Sequence, residues 1–296
     1  MNNYKNLIIK NDLKVNKVTI KGNITIISTP LGQFVLKKNK NINIYNYLLS
    51  RGFNYLPKII DYDSDYVLYE YLDEIKYDNN EKARDYIKLL ALLHNKTSYF
   101  MEDDYNKIYD DIKTKLLDLN KYYNYMIDNM DKKEYLSPNE YLLTRNISLI
   151  LSSINYCLNE LDIIKELTLN KKRVVTNYNN DLNTMIKTID NMYLTSLDNV
   201  IVDSPIIDLL NFYNSYYDEL DFESLFLYYE KIFPLLEEEK ILLSILISMP
   251  DKIIVTNSIE NISDIKKSID KLNKSLDILN SKKEKETSTH KSKDNK

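Results

Sequence analysis

The chain has 296 residues, room for one large or two small compact units, and its 40 Lys and Arg against 44 Asp and Glu leave a net charge of −4. That balance exerts no general pull on nucleic acid, and Arg51, Arg84, Arg145 and Arg173 are the only guanidinium forks for multidentate phosphate or base recognition. With only Gly22, Gly32 and Gly52, only His94 and His290, and only Cys157, the chain excludes both glycine-rich phosphate-loop motifs, two-histidine zinc motifs, and any intramolecular disulfide or thiolate cluster.

The N-terminal stretch MNNYKNLIIKNDLK has one short apolar patch and no small-residue cleavage site, which predicts no signal peptide. A reducing cytoplasm fits the single thiol, and no apolar run of membrane-span length is expected. VTI (18–20) and ITII (24–27) predict a hairpin around Lys21-Gly22-Asn23. Thr29-Pro30-Leu31-Gly32 has the proline and glycine positions of a type I turn. QFVLKK (33–38) then alternates, with Phe34 and Leu36 on one face and Val35 and Lys37 on the other. A helix over 41–51 ends at Gly52 ahead of Pro57, and KIIDY (58–62) and YVLYEY (66–71) give two further strands.

From residue 80 the apolar spacing becomes helical. ARDYIKLLALLH (83–94) puts Ile87, Leu90, Ala91 and His94 on one stripe, where His94 reads as a core histidine. Helices are expected at 103–130 and 139–167, a strand at RVVT (173–176), a short hairpin within 185–197, and helices from Ile206 to about Ser248. The segment 251–261 reads as irregular, and Ile262, Ile265, Ile269, Leu272, Leu276 and Leu279 mark an amphipathic helix. Residues 281–296 lack apolar side chains and are expected to be disordered. The fold class predicted is α+β: a β-rich N-terminal lobe (1–72), and a helical lobe (73–280) interrupted by a loop-bearing segment at 173–198.

The order of FVLKK (34–38), VLYEYLD (67–73), LLALLHNKT (89–97), VVTNYNNDLNTMIK (174–187) and SLDNVIVDSPIIDL (196–209) resembles the kinase-like phosphotransferases of the aminoglycoside phosphotransferase and choline kinase type, closest to a spore-coat kinase-like branch. The resemblance spans most of 15–245 and implies a bilobal protein-kinase-like fold. Asp203, Pro205, Asp208 and Leu209 match the family's Asp-x-Pro-x-x-Asp-Leu run, which braces the catalytic loop.

Phosphoryl transfer needs held phosphates, a divalent cation on carboxylate and amide oxygens, and a base for the acceptor hydroxyl. The resemblance implies that Lys37 contacts phosphate and that Glu70, in VLYEYLD, lines the nucleotide site. No Asp or Glu occurs from Asn39 to Gly52 to orient that lysine. Aligning Leu182, Met185 and Ile186 as buried anchors puts the family's His-Gly-Asp on Asn177, Tyr178 and Asn179, its metal-binding Asn on Thr184, and its metal-binding Asp on Ser196. An Asn at the base position cannot accept the proton, a loss of about 10²–10⁴ in rate where that step matters. A second register makes Asp181 the base and leaves Ile186 at the metal position, with Asp198 as a substitute metal ligand. The expectation favours the first register: a catalytically degenerate kinase-like protein with no cofactor, working on an unknown protein partner or small-molecule ligand through its cleft or helical surface, and not on nucleic acid or membrane. The alternatives are an ATP- and magnesium-dependent phosphotransferase of a small hydroxylated or amino compound, and a spore-coat-associated structural protein.

Overall fold

A computed structural model describes residues 5–38, 41–102, 105–166, 170–177, 181–256 and 258–293. In chain order the elements are α1 (Lys5–Lys10), β1 (Lys17–Lys21), β2 (Ile24–Thr29), β3 (Gly32–Lys38), α2 (Ile42–Ser50), β4 (Ile59–Tyr62), β5 (Tyr66–Glu70) and α3 (Asn79–Thr97). There follow β6 (Tyr99–Glu102), α4 (Tyr105–Met130), α5 (Pro138–Glu166), β7 (Asn170–Thr176), a 3-10 turn at Leu182–Thr184, β8 (Met185–Lys187), β9 (Met192–Leu194) and β10 (Ile201–Asp203). Helices α6 (Ile206–Tyr216), α7 (Phe222–Ile232), α8 (Glu237–Ser248) and α9 (Glu260–Lys293) complete the chain. The arrangement is α+β, with an antiparallel sheet at the N-terminal side and a mostly helical remainder.

Two compact units emerge. The first joins Met1–Ser98 to Val174–Asp203, and the second joins Tyr99–Arg173 to Ser204–Lys296. The sequence boundary near residue 72 therefore lies inside the first unit: α3 and the β8–β9 hairpin belong with the sheet.

In the first unit the strands run β1-β2-β3-β5-β4, every pair antiparallel. The hairpin turn at Gly22 (φ 55) and the helix exit at Gly52 (φ 77) both use the left-handed region that side chains disfavour. At Gly52 the N–H of Phe53 reaches back to the carbonyl of Leu48, and that of Gly52 to Leu49, closing α2 as the Gly-then-Pro pattern predicts. Alternation sorts the strands: Ile27, Leu36 and Leu68 are buried with Leu7 of α1 on one face of the sheet. The opposite face carries Ile26, Val35 and Tyr69, which lie directly across from one another in the strand register. His94 is fully buried on α3.

In the second unit α5 packs against α4, α8 and α9. Its start is a capping box: the N–H of Ser137 donates to the Glu140 carboxylate and the N–H of Glu140 to the Ser137 hydroxyl. Contrary to the sequence expectation, α5 is long and apolar enough by composition to cross a membrane. Leu143, Ile150, Ile154 and Leu161 are nonetheless buried within the unit, where α5 packs against three other helices. Helix α9 runs on to Lys293, well past the apolar spacing that ends at Leu279 and through most of the segment for which composition predicts disorder. Lys and Glu, abundant there, are good helix formers.

Candidate functional site

The apolar face of the first unit's sheet and the β8–β9 hairpin enclose a cavity of about 330 Å³. Ile24, Ile26, Val35 and Tyr69 line it from the strands, and Thr184, Ile186 and Thr195 from the hairpin. Several backbone bonds hold the hairpin in place. Leu194 N–H donates to Tyr55 (2.8 Å), Ile75 N–H to Lys187 (2.9 Å), and Thr195 N–H to Thr184 (2.7 Å). The Thr195 hydroxyl donates to the same Thr184 carbonyl at 2.8 Å.

Of the residues the sequence singles out, Lys37, Glu70, Thr184 and Ser196 line this cavity together. Asp198 lines a smaller adjoining space of about 30 Å³, which Lys37, Tyr69 and Thr195 also border. Asp181 lines neither. Tyr178, Asn179 and Asn180 lie outside the described residues, and with them the base position of the first loop register.

Lys37 is the central cation. Its Nζ donates to the carbonyl of Thr195 at 2.6 Å. Burial pushes its pKa below the usual lysine value, and the negative charge of Asp198 partly opposes that. The neighbouring Asn41 side chain donates to the Leu197 carbonyl, so two side chains from the β3–α2 region fasten the same 195–197 stretch. Burial also raises the Tyr69 phenol to about 12, with Tyr45 and Asp198 adding to the effect, so this hydroxyl keeps its proton.

The carboxylates and hydroxyls that could serve chemistry are engaged in the backbone or each other. Asp181 caps the 3-10 turn, accepting from Asn183 N–H at 2.9 Å. Thr184 donates its hydroxyl to the Asp181 carbonyl at 2.6 Å. The Ser196 hydroxyl donates to Asp198 at 3.3 Å. Glu70 accepts from Lys58 N–H at 3.0 Å. Among the described residues no three His, Cys, Asp or Glu side chains gather closely enough to hold a metal ion. The residues that the two loop registers assign to magnesium offer one carboxylate, Asp198, and two hydroxyls, one donating to that carboxylate and the other to the Asp181 carbonyl, which is a poor match for a hard cation.

Sequence reasoning missed Thr195 and Asn41. The first acts through a backbone carbonyl, which leaves no trace in residue type. The cavity-lining row Ile26, Val35 and Tyr69 was within reach, because Val35 and Lys37 already fall on one face by alternation.

No family model matches the chain, and no curated protein matches it in sequence. Solved structures do. An aminoglycoside phosphotransferase from Alicyclobacillus acidocaldarius aligns over 92% of this chain and 92% of its own, at 12% identity and a TM-score of 0.65. The chain has a kinase-like fold of the aminoglycoside phosphotransferase type. Choline kinase from Streptococcus pneumoniae aligns over 94% of this chain and 98% of its own, at 14% identity and a TM-score of 0.48. At 12% identity the likeness to the aminoglycoside phosphotransferase speaks to the fold and not to the chemistry.

Proposed function

We propose that this kinase-like protein works by binding and has lost phosphoryl transfer. The observation that carries the reading is the state of Asp181. It is the only carboxylate in the loop at 174–187, it serves as the cap of a 3-10 turn, and it lines neither cavity. Two further features support it: Ser196 stands where the resemblance calls for a metal-binding Asp, and the Thr184 hydroxyl is held by the Asp181 carbonyl.

The test is magnesium-dependent ATP turnover against a panel of small hydroxylated and amino compounds, with Asp181→Ala and Asp198→Ala alongside. Turnover at the buffer background in all three proteins is expected. Robust turnover that either substitution abolishes overturns the reading.

One observation favours a second reading, an ATP-dependent phosphotransferase. Lys37 and Asp198 border one small space, and the carboxylate's charge acts on the ammonium. In that reading Asp198 would hold magnesium, Lys37 a phosphate, and Asp181 would be the base after the turn reopens. The turnover assay separates the two.

A further inference from the structure

The cavity under the sheet has a chemistry of its own. Its walls are mainly aliphatic and aromatic, from Ile24, Ile26, Val35, Tyr69, Leu72 and Ile186. At about 330 Å³ it falls at the lower end of the range usual for small-molecule sites. Two cations, Lys21 and Lys37, and two carboxylates, Glu70 and Glu74, border it, so the lining is neutral overall. Glu74 sits 3.2 Å from Lys82, and Lys21 is exposed at the rim. Lys37, the cation at the inner end, is bonded to the Thr195 carbonyl and stands next to Asp198.

A phosphorylated ligand would bring several negative charges into this space. To meet them, Lys37 would have to leave Thr195, and Asp198 would repel the incoming anion. Burying charge without a partner is costly, whereas an apolar ring needs only the surface already present. Neutral groups on the lining that can fix orientation are the Tyr69 phenol and the Asn183 side chain.

Resting on the reading that phosphoryl transfer is lost, we infer that this cavity takes an uncharged, flat aromatic small molecule, and that Lys37 is a tie between β3 and the 195–197 stretch and not an anion contact. The occupant is thus distinguished from a nucleotide by the absence of phosphate and by indifference to magnesium.

Titration calorimetry on the full chain with two matched pairs, adenosine against ATP and riboflavin against FMN, tests this. In at least one pair the uncharged member should bind at least threefold more tightly than its phosphorylated counterpart. Its affinity should change less than twofold on adding magnesium. Ile186→Trp, which fills the cavity from the hairpin, should weaken that binding more than tenfold. The comparison on the unaltered protein stands even if that variant does not fold. Tighter binding of the phosphorylated member in both pairs, magnesium-dependent affinity, or no binding of either uncharged member overturns the inference. Each of these results leaves the loss of phosphoryl transfer to be judged by turnover alone, so the two can fail separately.

Discussion

Replacing Lys37 with Met asks what this lysine is for. The change keeps an unbranched chain of similar length against Val35, Tyr69 and Leu194, so little apolar contact is lost. It removes the 2.6 Å bond to the Thr195 carbonyl, and hydrogen bonds to charged groups contribute about 1.5–3 kcal/mol. Part of that is offset because the buried ammonium no longer has to be desolvated, the same penalty that lowers its pKa. A net loss of about 1–2 kcal/mol follows. With an unfolding entropy of about 2.1 cal/mol/K per residue over 296 residues, each kcal/mol shifts the midpoint by about 1.6 °C, so the midpoint of thermal unfolding should fall by roughly 2–3 °C. Calorimetric or circular-dichroism melts of both proteins without ligand would measure it. An unchanged or higher midpoint, together with a large loss of ATP affinity, would refute the view of Lys37 as a tie and restore it as a phosphate contact.

Three more expectations concern the second unit. Tyr123→Phe deletes a buried hydroxyl that donates to the Asp251 carbonyl and accepts from Ile253 N–H at 3.0 Å; urea unfolding should show a loss of about 1–3 kcal/mol. Glu140 has its carboxyl held down to about 2, first by the hydrogen bond from Lys133 and then by Ser137 N–H. Its folded value lies below the unfolded 4.5, so its stabilisation is complete above that pH and is lost as pH falls toward 2. Glu140→Gln should therefore flatten the acid limb of a stability–pH curve measured by urea unfolding. Cys157 is buried and its thiol is pushed up to about 12 by burial, so it should resist a thiol reagent in the native protein and react promptly in denaturant.

Much of the fold could be read in advance because it rests on local rules. The two-residue period of QFVLKK, the Gly52 exit and the spacing of Ile265, Ile269 and Leu272 correspond to β3, the end of α2 and the buried stripe of α9. Short elements escaped. KNLIIK is under two turns, too few for a helical period to register, and Leu7 matters only because the sheet lies beneath it. YFME lies between two helical stretches and leaves no signal, since a four-residue strand carries almost no periodicity and is defined by pairing with 170–173. In the site, the types and rough places of Lys37, Thr184 and Ser196 could be read, but not their bonds. The acceptor for Lys37 is a backbone oxygen 158 positions away, and no residue-type rule points to it. Asp181 illustrates the converse: a carboxylate two residues before the N–H it accepts from is a local turn signal, and that signal competes with its reading as a base.

The first unit is discontinuous in sequence, and this bears on how the chain is made. Its five-stranded sheet is complete once β5 has been synthesised, yet the hairpin that walls the cavity lies beyond the 75 residues of Tyr99–Arg173. At ribosomal speeds of roughly 5–20 residues per second, that insertion takes on the order of 4–15 s to emerge. Through at least that interval the nascent sheet shows Ile24, Ile26 and Val35 to its surroundings, and a chaperone has seconds in which to engage them before the chain can cover its own greasy floor.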